Sequence, residues 1–170
     1  MVDSYFNKVS DALDRINRGD IFEIANLIHS CTGKIFVFGN GGSAATASHF
    51  AQDMNKLLNK RFICLNDNIP SILAYGNDDG FNTIFRSQLA KFLNLEDLVI
   101  GFSCSGNSEN VLEAIKLANE YNVPTIGFCG FDGGRVKEIV NHNIHVLSDD
   151  MQVCEDCHMI ICHTIVKMLQ

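Results

Sequence analysis

Two short segments of the chain carry glycine and hydroxyl residues directly after an apolar run, as anion-binding turns do. The first reads Phe36-Val-Phe-Gly-Asn-Gly-Gly-Ser43, and the second reads Leu98-Val-Ile-Gly-Phe-Ser-Cys-Ser-Gly-Asn-Ser108. Each leads into a helical pattern, so each predicts a strand, a turn and the start of a helix. The free N–H groups at a helix N-terminus attract anions, and serine hydroxyls donate to phosphate oxygens. Together the two segments predict a site for a phosphorylated small molecule.

A second group of residues has the types used in acid–base chemistry and metal binding. His49 and Asp53 are four residues apart in the helical pattern after the first turn, so they share a helix face. The C-terminal helical pattern carries four more such residues: Glu155, Asp156, His158 and His163. Two imidazoles with two carboxylates form a credible zinc-binding set, and either type also transfers protons. Spacing alone leaves open whether His158 competes with His163, since each shares a face with an acidic residue.

Helical patterns and apolar runs alternate along the rest of the chain. The predicted strands cover residues 34–38, 61–65, 98–102, 124–128 and 144–147. The predicted helices cover residues 3–18, 20–30, 44–58, 69–75, 81–93, 108–121, 134–139 and 151–169. Continuous apolar strands that alternate with helices are typical of a parallel α/β sheet covered on both faces. Ligands of such sheets bind at the C-terminal ends of the strands, where both glycine- and serine-rich turns lie.

The composition predicts a single globular domain over residues 1–170. The chain is 46% hydrophobic and 19% charged, and it contains only two prolines. A formal net charge of -7 argues against a nucleic-acid partner, and no apolar run has the length of a membrane span. The N-terminal residues lack a secretory pattern, and seven cysteines in mostly apolar surroundings indicate a reducing compartment. We therefore expect a cytoplasmic protein with neither a membrane nor a nucleic-acid partner.

Five motifs, in chain order, resemble those of the sugar isomerase (SIS) domain family. They are Gly39–Ser43, His49–Ala51, Gly76–Asn82, Ser103–Ser108 and Gly130–Gly134. Within the family the chain is similar to the sedoheptulose 7-phosphate isomerases. The resemblance implies a single three-layer α/β/α domain with a five-stranded parallel sheet and N-terminal helices used in oligomerisation. It also implies a homotetramer with active sites at the subunit interfaces.

The activity that the resemblance implies is an aldose–ketose isomerisation. The substrate would be sedoheptulose 7-phosphate and the product D-glycero-D-manno-heptose 7-phosphate, a precursor of heptose in surface polysaccharides such as lipopolysaccharide or capsule. The reaction moves a proton between two sugar carbons through an enediol, so it needs a base over those carbons and a group that steadies the oxyanion. Members of the family often carry zinc, which implies one divalent ion per site here.

The resemblance also implies a role for individual residues. Substrate contacts fall on Asn40, Gly41, Gly42, Ser43, Asn77 and Asp78. Phosphate contacts fall on Ser103, Cys104, Ser105 and Ser108, with cysteine where the family commonly has threonine. The metal ligands would be His49, Asp53, Glu155 and His163. Among these, Asp53 and His163 would also transfer protons, and Glu155 would also contact the substrate.

Two residues depart from the family pattern and keep other functions open. Asp53 stands where the family usually has glutamate, and Glu155 stands where it usually has glutamine. A shorter carboxylate and an added charge in the site favour, as one alternative, an isomerase of a related phosphosugar. A second alternative is a non-enzymatic tetrameric scaffold that binds a protein partner, a role known in SIS relatives that lack the acid–base carboxylate. Because Asp53 and His163 are both present, the sequence favours an enzyme.

Overall fold

The computed structural model describes residues 2–170. Within this range the elements are, in chain order, α1 Val2–Asp14, α2 Arg18–Ser30, β1 Ile35–Gly39, α3 Gly42–Leu58, β2 Phe62–Cys64, α4 Ile69–Asp78, a 3₁₀ turn Phe81–Thr83, α5 Ile84–Leu89, β3 Leu98–Ser103, α6 Glu109–Glu120, β4 Thr125–Cys129, α7 Gly134–Ile139, β5 His142–His145 and α8 Met151–Leu169. Among these described residues, no helix is both long enough and apolar enough to cross a bilayer.

The five strands form one parallel sheet in the order β2-β1-β3-β4-β5. The predicted α/β fold with a five-stranded parallel sheet is therefore confirmed. From β1 the chain runs to β2 on one side, whereas β3 pairs with β1 on the other. This reversal of strand order opens a crevice at the C-terminal ends of β1 and β3, where parallel sheets commonly bind ligands.

The three central strands, β1, β3 and β4, are fully buried between two layers of helices, and their side chains alternate between the two layers. Ile35 and Val37 of β1 point into the core formed with α1, α2, α3 and α8. Phe36 and Phe38 point into the opposite core, formed largely with α5 and α6. This two-sided burial explains why the strand sequences are continuous apolar runs rather than alternating ones.

Several element boundaries differ from the prediction, and three of the differences have a clear local reason. The first helix ends at Asp14 because Asn17 caps α2, accepting a hydrogen bond from Gly19 N at 3.0 Å. The predicted helix over 81–93 is instead the 3₁₀ turn followed by α5, which ends at Leu89. The last strand begins at His142 rather than at residue 144, because this polar residue pairs in register with Ile126 at the sheet edge.

Candidate active site

The two glycine- and serine-rich turns meet where β1 and β3 end side by side. Gly39, the last residue of β1, pairs with Phe102 of β3. A Cβ atom at Gly39 would lie 2.8 Å from Ser43 Cβ and 3.0 Å from Phe102 O, so only glycine lets the turn fold back this closely. The turns and α8 enclose a cavity of about 110 Å³. Its lining is Asn40, Ser43, Phe102, Ser103, Cys104, Ser105, Ser108, Met151 and Glu155.

The second turn presents three serine hydroxyls at the start of α6. Ser103 Oγ donates to Ser108 Oγ at 3.1 Å, and Asn107 N donates to Ser105 Oγ at 3.2 Å. Ser108 is the N-cap residue of α6, yet its side chain makes no capping hydrogen bond to the described residues of that helix. Both the hydroxyl and the positive end of the helix are therefore available to an anion. We call Ser103, Ser105 and Ser108 the serine cradle.

Cys104 faces the first turn from within the second. Its Sγ lies 3.8 Å from Ser43 Oγ, and the residue is buried. Burial raises the pKa of the Cys104 thiol to about 11, so the side chain is neutral and behaves as a small packing group at neutral pH. Cys104 is part of the cavity lining, but its neutral thiol offers no charge to a phosphate.

Glu155 of α8 lies against the N-terminus of α3. Its carboxyl group occupies the space that a Cβ atom at Gly42 would need, so the two elements are closest where residue 42 has no side chain. Gly41, the N-cap of α3, has φ +54 and ψ -124, a conformation that favours glycine. Burial, followed by the charge of Asp156, raises the pKa of the Glu155 carboxyl. Glu155 thus faces the first turn at the edge of the cavity.

His49 and Asp53 of α3 and His163 of α8 bring their donor atoms together. The two histidine Nε2 atoms are 3.0 Å apart, and Asp53 Oδ2 lies 3.5 Å from His49 Nε2 and 3.9 Å from His163 Nε2. These separations resemble the edges of a tetrahedron whose corners lie about 2.0–2.2 Å from a central zinc ion. Two imidazoles and a carboxylate therefore fit a divalent metal. We call these three residues the His/Asp cluster.

The structure brings three of the four predicted metal ligands together and leaves Glu155 apart. Glu155 and His163 are eight residues apart on α8, which corresponds to about 12 Å along a helix axis. Gly42 and His49 are seven residues apart on α3, which corresponds to about 10 Å. Glu155 therefore lies at the end of α3 near the serine cradle, and the His/Asp cluster lies about two helical turns away.

Asn77 and Asp78 do not line this cavity in the described chain. They are exposed at the C-terminal end of α4, where Asn77 Nδ2 donates to Asp78 Oδ1 at 2.7 Å. The other predicted substrate contacts, Asn40 and Ser43, line the cavity, and Gly41 and Gly42 border it at the start of α3. Apart from this pair, the residues predicted to contact the sugar and its phosphate thus lie in or beside this cavity.

Two buried polar residues near the site were not assigned to it from the sequence. Asn110 is 3% exposed and exchanges hydrogen bonds with Asn40. His158 is 1% exposed, packs edge-on to Phe128, and donates from Nε2 to Cys129 O at 3.1 Å. The sequence signal for Asn110 is weak, since it is simply an asparagine two residues after a predicted phosphate ligand. His158 was recognised only as a competitor of His163.

Comparison with known proteins shows which family this chain resembles. A sequence model of the SIS domain family matches residues 4–130. Phosphoheptose isomerase 1 of Campylobacter jejuni is 38% identical over 162 residues, which are 91% of this chain and 87% of the relative. The phosphoheptose isomerase of Geobacter sulfurreducens is 39% identical over 171 residues, covering 96% and 90%. The solved phosphoheptose isomerase of Neisseria gonorrhoeae superposes with a TM-score of 0.94 at 30% identity, covering 99% of this chain and 96% of that one.

The chain belongs to the SIS domain family. Within that family it belongs with the phosphosugar isomerases, as its similarity to phosphoheptose isomerases over most of their length indicates.

Proposed function

We propose that this protein interconverts sedoheptulose 7-phosphate and D-glycero-D-manno-heptose 7-phosphate. The observation that carries the proposal is the convergence of His49, Asp53 and His163 on the two helices that also border the serine cradle. A sugar phosphorylated at the end remote from its carbonyl group would span the two helical turns between the cradle and the cluster. The product would be a precursor of the heptose in lipopolysaccharide, capsule or another surface polysaccharide.

In the proposed complex the serine cradle and the N-terminus of α6 hold the phosphate. The sugar chain then passes the first turn, where Glu155 and Asn40 face the cavity and accept or donate hydrogen bonds to hydroxyl groups. Asp53 and His163 would serve the two carbons that exchange a proton, one removing it and the other acting on the neighbouring oxygen, through the carboxylate oxygen and the ring nitrogen that a bound ion leaves free. Asp53 is the more buried of the two, with a side chain 18% exposed against 50% for His163.

We further propose that the His/Asp cluster binds zinc. Such an ion would act as a Lewis acid that stabilises negative charge on the sugar oxygen. Of the four ligands that the family resemblance implies, His49, Asp53 and His163 have converging donor atoms. Glu155 lies nearer the path of the sugar, which supports a role in substrate contact.

We also propose a homotetramer with active sites at subunit interfaces. The cluster histidines have side chains 44% and 50% exposed, so a neighbouring chain has room to cover them. The exposed pair Asn77 and Asp78 would then reach the sugar of an adjacent subunit. We take residues 1–170 as one SIS domain, because β5 and α8 complete the sheet and core beyond residue 130. Seven free cysteines support a reducing, cytoplasmic setting.

The test is direct conversion by the purified chain. Sedoheptulose 7-phosphate is incubated with the protein, with added zinc or with a chelator, and the heptose phosphates are resolved by chromatography and mass spectrometry. D53N and H163A should each lower kcat by about 10²–10⁴-fold, the range for loss of an acid–base group. D14N, at an exposed carboxylate of α1, is the matched control and should retain full activity.

Failure to convert this sugar under any metal condition would reject the proposed reaction. Turnover of another sugar phosphate in the same assay would then establish an isomerase of a related phosphosugar, as the Asp53 and Glu155 departures suggest. Absence of turnover across a panel of phosphosugars would favour a tetrameric scaffold that binds a protein partner.

A further inference from the structure

Asn110 lies in the first helical turn of α6. It forms a closed amide pair with Asn40, which lies in the glycine-rich turn after β1. Asn40 Nδ2 donates to Asn110 Oδ1 at 2.8 Å, and Asn110 Nδ2 donates to Asn40 Oδ1 at 2.9 Å. The two residues are 70 positions apart. Because Asn110 is 3% exposed, its amide depends on these protein partners rather than on water. The pair therefore joins the turn after β1 to the helix that follows β3.

The orientation of both amides follows from one backbone group. Val111 N donates to Asn110 Oδ1 at 3.0 Å. A backbone N–H can only donate, so this contact identifies which end of the Asn110 amide is the oxygen. The closed pair then determines which atoms Asn40 turns toward Asn110 and which remain for the cavity. Through Asn110, the start of α6 sets the direction of the Asn40 side chain.

We propose that Asn110 is a positioning residue for phosphosugar binding. Asn40 lines the cavity, whereas Asn110 is not among the described residues that line it, so Asn110 acts through its partner. With one Nδ2 hydrogen and one Oδ1 lone pair used in the pair, Asn40 keeps one hydrogen and one lone pair for a ligand hydroxyl or phosphate oxygen. This inference rests on the proposed function, in that the ligand of the cavity is taken to be a phosphosugar.

Asparagine is the side chain that these contacts require at position 110. Aspartate has the same shape but no N–H, so it cannot donate to Asn40 Oδ1 and would turn a negative oxygen toward it. Asn40 Oδ1 is a partly buried acceptor, so losing its partner destabilises this arrangement, and the Asn40 side chain would rotate to find another donor. The expected consequence is weaker binding of the phosphosugar by a protein that still folds.

A double-mutant cycle of N110D and N40A in the full chain tests the proposal. For sedoheptulose 7-phosphate we expect N110D to raise KM and Kd about tenfold, with a smaller change in kcat. In the N40A background, N110D should have no further effect on either constant. N119D is the matched control on the same helix, because Asn119 donates to Ile139 O away from the cavity. It should lower the unfolding temperature without raising Kd.

A second measurement on the wild-type chain does not depend on activity or on a stable variant. By NMR of ¹⁵N-labelled protein, the Nδ2 protons of Asn40 should exchange with solvent more slowly than those of exposed Asn122. Equal exchange rates for these two residues, or additive effects of N110D and N40A, would overturn the inference. If the wild-type chain does not isomerise the sugar, the proposed function fails. The double-mutant cycle of N110D and N40A is then measured with the Kd for inorganic phosphate in place of the Kd for the sugar.

Discussion

The Nε2 atoms of His49 and His163 face each other at 3.0 Å across the contact between α3 and α8. The rings meet edge to face, with an interplanar angle of 87°. Both side chains are about half exposed, so neither needs the other as a buried hydrogen-bond partner. Their convergence with Asp53 instead fits the arrangement of ligands around one divalent ion.

Removing either histidine should abolish stoichiometric zinc binding. After reconstitution and gel filtration, H49A and H163A are each expected to contain far less than one zinc per chain by mass spectrometry, because two remaining ligands hold the ion weakly. H29A, at an exposed histidine of α2, is the control and should match the wild type. In the wild type, zinc at about 100 times its Kd should raise the free energy of unfolding by about 2.7 kcal/mol. Unchanged zinc content in both variants would reject the metal site.

Gly42 should be sensitive to a single added methyl group because Glu155 occupies that space. In G42A the new Cβ would overlap the Glu155 carboxyl, which is the flexible end of its side chain and can move away. We expect a small loss of stability but a several-fold rise in KM for the phosphosugar. Comparison with G41A separates overlap with Glu155 from backbone strain. Gly41 has φ +54 and nothing near an added Cβ, so G41A should lower the free energy of unfolding by about 1 kcal/mol or more through backbone strain alone.

The variant E155A tests whether Glu155 is the reason why G42A raises KM. If Gly42 matters because it leaves room for that carboxyl, G42A should add nothing to KM once residue 155 is alanine. An effect of G42A that persists in the E155A background would show that the turn itself is disturbed.

The strands and the two turns were predictable because they depend on neighbouring residues. An apolar run followed by glycine and serine is compatible with few local structures. Gly39–Ser43 and Ser103–Ser108 lie, as the pattern predicts, where a strand ends and the next helix begins. The partners across the site were not predictable in the same way. His49 and His163 meet because α3 packs on α8, and Asn40 meets Asn110 because β1 pairs with β3.

The separation of Glu155 from the His/Asp cluster has a different origin. The family resemblance, and not the spacing, pairs Glu155 with His163, because eight residues turn an α-helix by about 80° beyond two full turns. The same interval advances the helix by about 12 Å, and the side chain then settles against Gly42 rather than near Asp53. Sequence spacing defines the face of a helix but does not define which rotamer a long carboxylate adopts.

His158 should make the stability of the protein depend on pH. Burial lowers the pKa of His158 to about 4, because the imidazole lies among apolar groups with only Cys129 O as a partner. The unfolded chain, with a pKa near 6.5, therefore binds this proton more readily than the folded chain. The free energy of unfolding should be unaffected above about pH 6.5 and fall by roughly 3 kcal/mol as the pH drops towards 4.

The contribution of His158 is isolated by comparing denaturant unfolding of the wild type and H158Q over this pH range. Glutamine keeps an N–H that can reach the carbonyl group but takes up no proton. The difference in stability between the two proteins should shrink as the pH falls, whereas H29A should follow the wild-type curve. A constant difference between pH 7 and pH 4 would contradict the assignment of this pH dependence to His158.

Helix α4 should form a contact between subunits. None of its residues, all of which are described, is buried in the single chain. Ile69 and Leu73 are 62% and 66% exposed, and Phe81 beyond the helix is 63% exposed. Burying each of these side chains in a partner would contribute about 1.5–3 kcal/mol. Asn77 and Asp78 end the same helix outside their own cavity, so a subunit contact here would bring them to a neighbouring site.

The variant L73E tests this contact. A charge at the centre of an apolar interface has no partner, so L73E should sediment as a smaller species than the wild type while keeping its circular dichroism spectrum. L95E, at a residue that is 73% exposed in the segment between α5 and β3, is the control and should keep the wild-type mass. If the active sites lie at subunit interfaces, kcat/KM of L73E should fall with dissociation and recover at high protein concentration. A wild-type mass of one 18.8 kDa chain would contradict the tetramer outright.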